Sequence, residues 1–324
     1  MKSEEPLAAA LVVALGGAID AAFGELPNVV HPVARLGGFV GLLERRRPLD
    51  DPRRELAHGG LIVGTTTAAA ALTGWGVARG LRRMPLAARL PLTALALKQA
   101  FSLRGLVRAG AEVRDLLETG ASTDADNGRD IEAARESLKA LVSRDRDLEP
   151  PQIVSATVES LAENLTDSVT APLLAYAVAG LPGAYAYRAI NTMDAMIGYR
   201  GEYEHVGKIA ARLDDVANYV PARLTGALLC LLAVTRGRGG AAWTALRAAH
   251  NAADSPNKMW TIAPTAGLLG VRLEKPGHYR AGEPERPLTP EIISEAIALI
   301  WRAGAVALTL GAALAAGLRR RRTR

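Results

Sequence analysis

Long apolar runs separated by charged segments dominate the hydrophobic pattern of this 324-residue chain. A helix needs about 20 apolar residues to cross the hydrocarbon core of a bilayer. Five runs could cross or enter a membrane, and they are Leu7–Phe23, Leu56–Val77, Leu86–Phe101, Pro221–Thr235 and Ala296–Leu318. The third is short and carries Arg89 and Lys98, so it could be only half buried in the membrane. A sixth run, Val169–Tyr187, is broken by prolines and predicts a pair of short helices.

Two hydrophilic regions interrupt this pattern. Between about 104 and 151, helical periodicity over Leu106–Leu117 and Asp130–Val142 predicts a helical insertion, with Asp130 as an N-cap. Between about 250 and 290 the chain is rich in Pro, Gly and charge, which predicts a functional or disordered loop rather than a mere connector. We therefore expect an all-α polytopic integral membrane protein with amphipathic and half-membrane helices, forming a single membrane-embedded domain over residues 1–324.

Composition agrees with a membrane protein. The mean hydropathy is +0.10 although 22% of the residues are charged, so apolar and charged residues must be segregated along the chain. The net charge of +6 comes from arginines at the ends of apolar runs, without interleaved aromatic residues, which favours a membrane protein over a nucleic-acid binder. The single cysteine, Cys230, excludes a disulfide framework.

The arginines give conflicting indications of topology. Under the positive-inside rule, the Arg-rich tail after Leu318 and the segment Glu44–Arg54 both indicate the cytoplasmic side. Three further arginines follow the second apolar run and would then lie outside: Arg79, Arg82 and Arg83. Either the second and third runs pair in an unresolved arrangement, or one of them does not span the bilayer, so the number of crossings stays open.

The stretch from Ser155 to Leu173 carries an acidic stripe. Read as a helix, it places Glu159, Glu163 and Asp167 on one face at i, i+4 and i+8, with no Lys or Arg at the pairing positions. Like charges on one stripe indicate a cation supplied from outside, and Mg²⁺ is commonly held by one or two carboxylates plus substrate phosphates. The alternative is a solvated acidic face on a helix that docks through its apolar side.

Two further stretches place polar residues within apolar helical sequence. In Tyr187–Arg200, Asn191 and Asp194 share a face, and the alternative is a generic helix with a salt bridge. In Ala211–Thr225, Asp214 shares a face with Asn218, and the adjacent face carries a second polar pair; the alternative is ion pairing at the membrane–water boundary. The second pair is Asp215 with Tyr219, and Arg212 and Arg223 flank the group.

Two turn-like motifs complete the candidates. His31–Gly38 reads H-P-V-A-R-L-G-G, and Ala253–Trp260 contains S-P-N. Either motif could be a structural turn alone. The sequence has no G-x-x-x-x-G-K-[ST], no G-x-G-x-x-G after a strand, no H-E-x-x-H and no paired C-x-x-C, so any bound nucleotide is not held by a P-loop.

These motifs together carry a family resemblance. H-P-V-A-R-L-G-G, S-R-D, V-E-S-L-A-E-N-L-T-D-S-V-T-A-P-L, N-T-M-D-A-M-I-G-Y, A-R-L-D-D-V-A-N-Y-V-P-A-R-L-T and S-P-N occur in this order from His31 to the 290s. The chain closely resembles the CobD/CbiB family of cobalamin biosynthesis, the adenosylcobinamide-phosphate synthases. It departs from the family where Lys258 and Met259 follow S-P-N, so a role for a loop glutamate is not carried over.

The resemblance implies an integral-membrane ligase at the cell (inner or plasma) membrane with a cytoplasm-facing site. Such an enzyme joins the propionate carboxylate of adenosylcobyric acid to the amine of (R)-1-aminopropan-2-ol O-phosphate, or of aminopropanol, with ATP and Mg²⁺ and through an acyl phosphate. The lipid bilayer is an expected partner and nucleic acid is not. Other membrane-associated cobalamin-pathway enzymes and a second copy of the chain are further candidates.

Our hypothesis for the site follows. Candidate catalytic residues are Glu159, Glu163, Asp167, His31 and Asp215. Candidate substrate- or nucleotide-binding residues are Arg35, Arg144, Asn164, Arg188, Asn191, Arg212, Asn218, Tyr219, Arg223, Ser255 and Asn257. Candidate metal ligands are Glu163, Asp167, Asp194 and Asp214. Two other classes of protein stay open: a carrier that uses intramembrane carboxylates, and a non-catalytic membrane sensor on the same scaffold.

Overall fold

A computed structural model describes residues 5–25, 32–48, 51–122, 127–139 and 148–323. Within these ranges the chain is almost entirely helical. In chain order the elements are α1 Glu5–Phe23, α2 Pro32–Glu44, α3 Pro52–Leu81, α4 Leu86–Lys98, α5 Leu103–Ser122, α6 Asn127–Leu138, α7 Pro150–Leu165, a π-helical segment Thr166–Thr170, α8 Ala171–Ile197, α9 Lys208–Val234, α10 Gly239–Ala249, α11 Met259–Leu269, β1 Leu273–Lys275, β2 Tyr279–Ala281 and α12 Pro290–Thr323. The two strands form one antiparallel hairpin.

Five helical stretches are long and apolar enough to cross a membrane. They are Glu5–Phe23, Pro52–Leu81, Pro150–Ile197, Lys208–Val234 and Pro290–Arg321. The protein is therefore an all-α polytopic membrane protein, as the hydrophobic pattern predicts. The run Leu86–Phe101 is not among the five, because α4 has only 13 residues and contains Pro91.

The described chain divides into two compact units. The first unit comprises residues 1–102, 167–218 and 307–324, and the second comprises 103–166 and 219–306. The expected single domain stays a prediction.

In the first unit, α3 packs closely against α8 at Gly74 and against the turn after α8 at Gly59. A Cβ on Gly59 would lie 2.0 Å from the Val206 carbonyl oxygen, and one on Gly74 would lie 2.7 Å from that of Leu181. The backbones therefore approach closely at both ends of the contact, as small residues allow in membrane helix pairs. The C-terminal half of α3 meets Leu181 within α8, whereas its N-terminal half meets Val206, which follows α8 in the chain. Helices α3 and α8 therefore run antiparallel.

Helix α8 bends at Gly180, which has φ 70° and ψ −156°. Only glycine adopts such a backbone conformation without strain. Pro182 follows two residues later and cannot donate a helical hydrogen bond. The prediction that prolines divide this run into two short helices is confirmed, although the bend falls at Gly180.

The first unit places basic residues at both ends of α3. The guanidinium of Arg319 lies 3.1 Å from the position of a Cβ on Gly180, beside the C-terminal half of α3. The tail arginines therefore lie at the same end as Arg82, and Arg53 lies at the other end. Cytoplasmic placement of both the tail and the Glu44–Arg54 segment is incompatible with an α3 that crosses the bilayer.

A buried charge cluster joins α1 to α4 in the same unit. The Lys98 ammonium lies 3.2 Å from the Asp20 carboxylate and also pairs with Glu25. The Lys98 and Asp20 side chains are both 2% exposed. Burial of charge is tolerated here because opposite charges meet.

The second unit contains the predicted hydrophilic insertion. Helix α5 packs on α6 and α7, and Gly110 of α5 faces the Leu161 side chain. Helix α6 begins at Asn127, so Asp130 lies inside the helix and its prediction as an N-cap is wrong. The predicted end of that helix, residues 140–147, lies outside the described residues.

The predicted loop from 250 to 290 is more ordered than expected. It contains α11 and the β1–β2 hairpin, and α11 ends at Gly270 in the left-handed conformation with φ 68°. The sequence pattern does not predict α11, because Pro264 lies inside an eleven-residue helix. Every residue of α11 except Trp260 is buried, and this packing outweighs the cost of the proline.

Candidate functional site

Polar side chains of α8 and α9 meet in the first unit, and we call Asn191, Asp194, Asp214, Asp215 and Asn218 the carboxylate–amide cluster. The Asn218 amide donates to Asp214 Oδ2 at 3.0 Å. The Asn191 amide donates to Asp214 Oδ1 at 3.4 Å. One half-buried carboxylate therefore accepts from both helices, with Oδ1 bonded to α8 and Oδ2 bonded within its own helix α9.

The carboxylate–amide cluster concentrates negative charge. Asp194 and Asp215 both lie close enough to Asp214 to interact with it electrostatically, as like charges. Asp194 also requires Gly198, because a Cβ there would meet the Asp194 side-chain oxygen at 2.0 Å. Three crowded carboxylates repel one another, and a cation or a substrate cationic group would relieve that repulsion.

Tyr187 and Arg188 extend the cluster along α8. The Tyr187 hydroxyl donates to Asn218 Oδ1 at 2.8 Å, and the Asp167 charge acts on the same tyrosine. Arg188 Nη1 donates to Asn191 Oδ1 at 3.4 Å, whereas its buried Nε has no hydrogen-bond partner within the described residues. Five predicted site residues, with Asp167 and Arg188, are thus brought together.

The other predicted residues of the first unit lie differently. Arg35 on α2 and Arg212 on α9 are exposed. A Cβ on Gly37 would lie 3.4 Å from the Met196 sulfur, so the H-P-V-A-R-L-G-G motif packs beside the motif that carries Asp194. His31 and Arg144 lie outside the described residues.

The carboxylate and amide oxygens of the cluster are potential metal ligands. Within the described residues, no group of three or more His, Cys, Asp or Glu side chains is arranged to hold a metal ion. Mg²⁺ requires fewer protein ligands than that, since it takes one or two carboxylates and completes its shell with water and substrate phosphates. The oxygen donors of the carboxylate–amide cluster fit this second mode.

Glu159 is buried in the second unit with its own hydrogen-bond donors. It is 2% exposed, and its carboxylate accepts from Ser155 Oγ at 2.7 Å and from the Tyr279 hydroxyl. Ser155 Oγ also accepts from the Glu274 backbone N–H at 3.0 Å. This carboxylate fastens the hairpin to α7, a contact between distant segments that no local pattern indicates.

The predicted acidic stripe is broken in the structure. Glu163 pairs with Lys258 Nζ at 3.2 Å, so the expectation of acids without a basic partner is wrong for this residue. Helix α7 ends at Leu165 and the π-helical segment follows, so Asp167 does not continue the face at i+8. Asn164 donates to the Ser160 carbonyl of its own helix at 3.0 Å.

Arg223 organises the S-P-N turn of the second unit. Its guanidinium lies 3.4 Å from the ring centre of Tyr219 and 4.8 Å from that of Trp260. Nη1 donates to Asn257 Oδ1 at 3.1 Å, and the Asn257 N–H lies 3.4 Å from Ser255 Oγ. The predicted residues Tyr219, Arg223, Ser255 and Asn257 are therefore assembled, whereas sequence reasoning missed Trp260.

A second arginine fastens the segment after the hairpin. Arg238 donates to both carboxylate oxygens of Glu285, at 2.7 and 2.9 Å, and to the Gly267 carbonyl at 3.0 Å. The Arg238 hydrogen bond holds the pKa of Glu285 below its ordinary value. This pair is exposed and serves the fold rather than the chemistry.

These features define a multi-pass helical membrane protein with carboxylate, amide and guanidinium groups gathered within its helices. The family model described as CobD/Cbib protein matches residues 13–302. The chain is 39% identical over 300 residues to the cobalamin biosynthesis protein CobD of Dehalococcoides mccartyi (strain CBDB1), covering 91% of this chain and 94% of that protein. It is 35% identical over 315 residues to the cobalamin biosynthesis protein CobD of Klebsiella pneumoniae subsp. pneumoniae, covering 90% and 93%.

No solved structure matches this chain. The family match covers most of the sequence, and the identities extend over nearly the whole of both relatives. The chain therefore belongs to the CobD/CbiB family of cobalamin biosynthesis. The resemblance read from the motifs is confirmed.

Proposed function

We propose that the protein is an adenosylcobinamide-phosphate synthase. It joins the propionate carboxylate of adenosylcobyric acid to the amine of (R)-1-aminopropan-2-ol O-phosphate, or of aminopropanol, and converts ATP to ADP and phosphate. The reaction takes place at the cytoplasmic membrane, at a site open to the cytoplasm. The observation that carries the proposal is the carboxylate–amide cluster in a chain of the CobD/CbiB family.

Amide formation explains why such a cluster is useful. A carboxylate oxygen is a poor leaving group, and its phosphorylation to an acyl phosphate creates a better one. Mg²⁺ bound with ATP would neutralise charge on the phosphates during transfer. Asp194 and Asp214 are the carboxylates we assign to the metal, and the amides of Asn191 and Asn218 hold Asp214 in place.

Arg188 and a proton acceptor complete the assignment. Arg188 keeps a buried N–H without a partner among the described residues, and a phosphate oxygen would satisfy it with a charge-assisted hydrogen bond. The substrate ammonium must lose a proton before it attacks, and we assign that proton to Asp215 or His31. In the second unit, the Arg223 guanidinium and the Asn257 amide are the proposed substrate contacts.

The test is direct synthesis by the purified protein. It is incubated with adenosylcobyric acid, Mg-ATP and either aminopropanol phosphate or aminopropanol, and the amide is sought by mass. ATP-dependent product supports the proposal. Ion flux across sealed vesicles without ATP consumption would instead favour a carrier, and neither product nor flux would favour a sensor.

Two glutamate variants sharpen this assay. Glu163→Gln removes a candidate catalytic and metal-binding carboxylate and should abolish product. The protein should still insert and purify normally, because the Glu163–Lys258 pair is about one-third exposed and contributes little to stability. Glu204→Gln is the matched control, an exposed glutamate in the turn before α9. Turnover near wild type in Glu163→Gln removes that residue from the site.

A further inference from the structure

The end of the first unit beside the Gly180 bend is rich in basic charge. The C-terminal end of α3 contributes Arg79, Arg82 and Arg83, all of them exposed. The end of α12 contributes Arg319, Arg320 and Arg321. We call these six residues the arginine collar.

Packing brings the two groups of the arginine collar to the same place. Gly74 of α3 packs on the Leu181 and Pro182 backbone, immediately after the bend. The Arg319 guanidinium packs on Gly180 itself, at 3.1 Å from a Cβ position there. Arg79 follows Gly74 by five residues, or about 7.5 Å along the helix, so both groups flank the same bend.

The segments that carry these arginines contain few acidic residues. One acid at this end is Glu5 of α1, because α1 runs parallel to α4, with Gly16 beside Ala94 and Asp20 paired with Lys98. The sequence has no Asp or Glu between Glu55 and Glu112, none between Asp167 and Asp194, and none after Glu295. The opposite end of α3 differs, because there Arg47 pairs with Glu202 at 2.7 Å and with Glu44 at 3.3 Å. Net positive charge is therefore concentrated at the collar end.

Exposed apolar side chains lead up to the collar on both helices. On α3, Leu72 and Trp75 are 65% and 56% exposed, and Arg79 lies over the Trp75 ring at 5.9 Å. On α12, Leu310 is 59% exposed two to three turns before the tail arginines. Apolar surface that gives way to tryptophan and then arginine is typical of the boundary between hydrocarbon and lipid headgroups.

We infer that the arginine collar is a binding surface for the phosphate groups of anionic phospholipids. Guanidinium groups bind phosphate through paired hydrogen bonds, and basic residues next to a membrane attract anionic headgroups. The half-buried Arg319 at the Gly180 bend supplies a fixed contact, and the exposed arginines of α3 supply adjustable ones. This surface is independent of the proposed synthase site.

Lipid retention by the full-length protein tests this inference. The protein is purified in a neutral detergent and offered equal amounts of phosphatidylglycerol and phosphatidylcholine, and retained lipid is measured by native mass spectrometry. Each arginine near an anionic surface contributes roughly a factor of five. The preference of the wild type for phosphatidylglycerol should therefore fall about a hundredfold in Arg79→Gln/Arg82→Gln/Arg83→Gln.

The matched control removes the same charge at the opposite end of the first unit. Arg45→Gln/Arg46→Gln/Arg53→Gln replaces three exposed arginines there and should change the preference by less than about twofold. If the first triple variant does not fold, Arg320→Gln/Arg321→Gln tests the same surface from α12, with an expected fall of roughly twentyfold.

Three outcomes would overturn the inference. The first is a wild type that does not prefer phosphatidylglycerol, and the second is an equal loss in the control variant. The third is displacement of the lipid by millimolar inorganic phosphate, which would show that free phosphate rather than a headgroup occupies the surface. Raising the salt from about 0.1 M to about 1 M should weaken the preference, because the screening length falls from about 10 Å to about 3 Å.

Discussion

Two acidic sites, one in each unit, have opposite surroundings. In the second unit, Glu159 accepts hydrogen bonds from Tyr279 and Ser155, and Glu163 forms an ion pair with Lys258. In the first unit Asp214 is held by two amides and faces two further carboxylates. The contacts of Glu159 secure a fold, whereas the carboxylates around Asp214 repel one another until a bound cation relieves the repulsion.

The largest expected effect is a loss of product formation on substitution of Asp214 in the first unit. Asp214→Asn keeps the shape of the side chain but removes the charge, so product formation should fall about a hundredfold or more. The free energy of unfolding should stay within about 1 kcal/mol of the wild type, because the change also removes repulsion. Product mass and thermal unfolding check the two parts, with Glu204→Gln as control. Full activity would show that Asp214 is structural, like Glu159.

The next largest expected effect is a loss of unfolding free energy on substitution of Tyr279 in the second unit. Tyr279→Phe removes one donor from a buried carboxylate and should cost about 1.5–3 kcal/mol of unfolding free energy. Tyr203→Phe, which keeps the ring that Arg47 covers, should cost less than about 0.5 kcal/mol. Thermal unfolding in detergent measures both. If the two variants are equally stable, Glu159 does not depend on its hydroxyl partner.

A smaller effect is expected at the S-P-N turn. Arg223→Lys keeps the charge but loses the planar stacking on Tyr219 and Trp260. The KM for the anionic substrate should rise roughly two- to thirtyfold with kcat little changed. Arg247→Lys, on the exposed side of α10, is the control. A fall in kcat at constant KM would place Arg223 in the chemical step instead.

The smallest effect is a pH dependence at the exposed Arg238–Glu285 pair. Its hydrogen bond lowers the pKa of Glu285 in the folded state. The contribution to stability is therefore present above the ordinary glutamate pKa of about 4.3 and is lost as the pH falls through the lower folded value. The difference in Tm between wild type and Glu285→Gln should shrink as the pH falls from about 6 to about 3, and thermal unfolding at a series of pH values measures it.

The sequence predicts what depends on local pattern. Apolar runs indicate the long helices, and polar residues spaced by three or four positions indicate Asn191 beside Asp194 and Asp214 beside Asn218. For Asp214 and Asn218, the spacing that defines a helix face also brings the side chains together. This is why part of the carboxylate–amide cluster can be predicted from the sequence alone.

Contacts between distant segments could not be predicted in this way. Lys258 reaches Glu163 and Tyr279 reaches Glu159 from the region read as a loop. The π-helical segment has no simple sequence signature, yet it ends the helical register of the acidic stripe before Asp167. The stripe was therefore predicted from a periodicity that the chain abandons after Leu165.

The buried Lys98 contact has a consequence for how the protein is made. Asp20 is translated with α1, but the ammonium that neutralises it arrives only when synthesis has passed α4. A carboxylate within a membrane helix is costly until it is compensated. A nascent chain stopped before Lys98 should therefore hold its first helix in the bilayer less firmly than one released just after it.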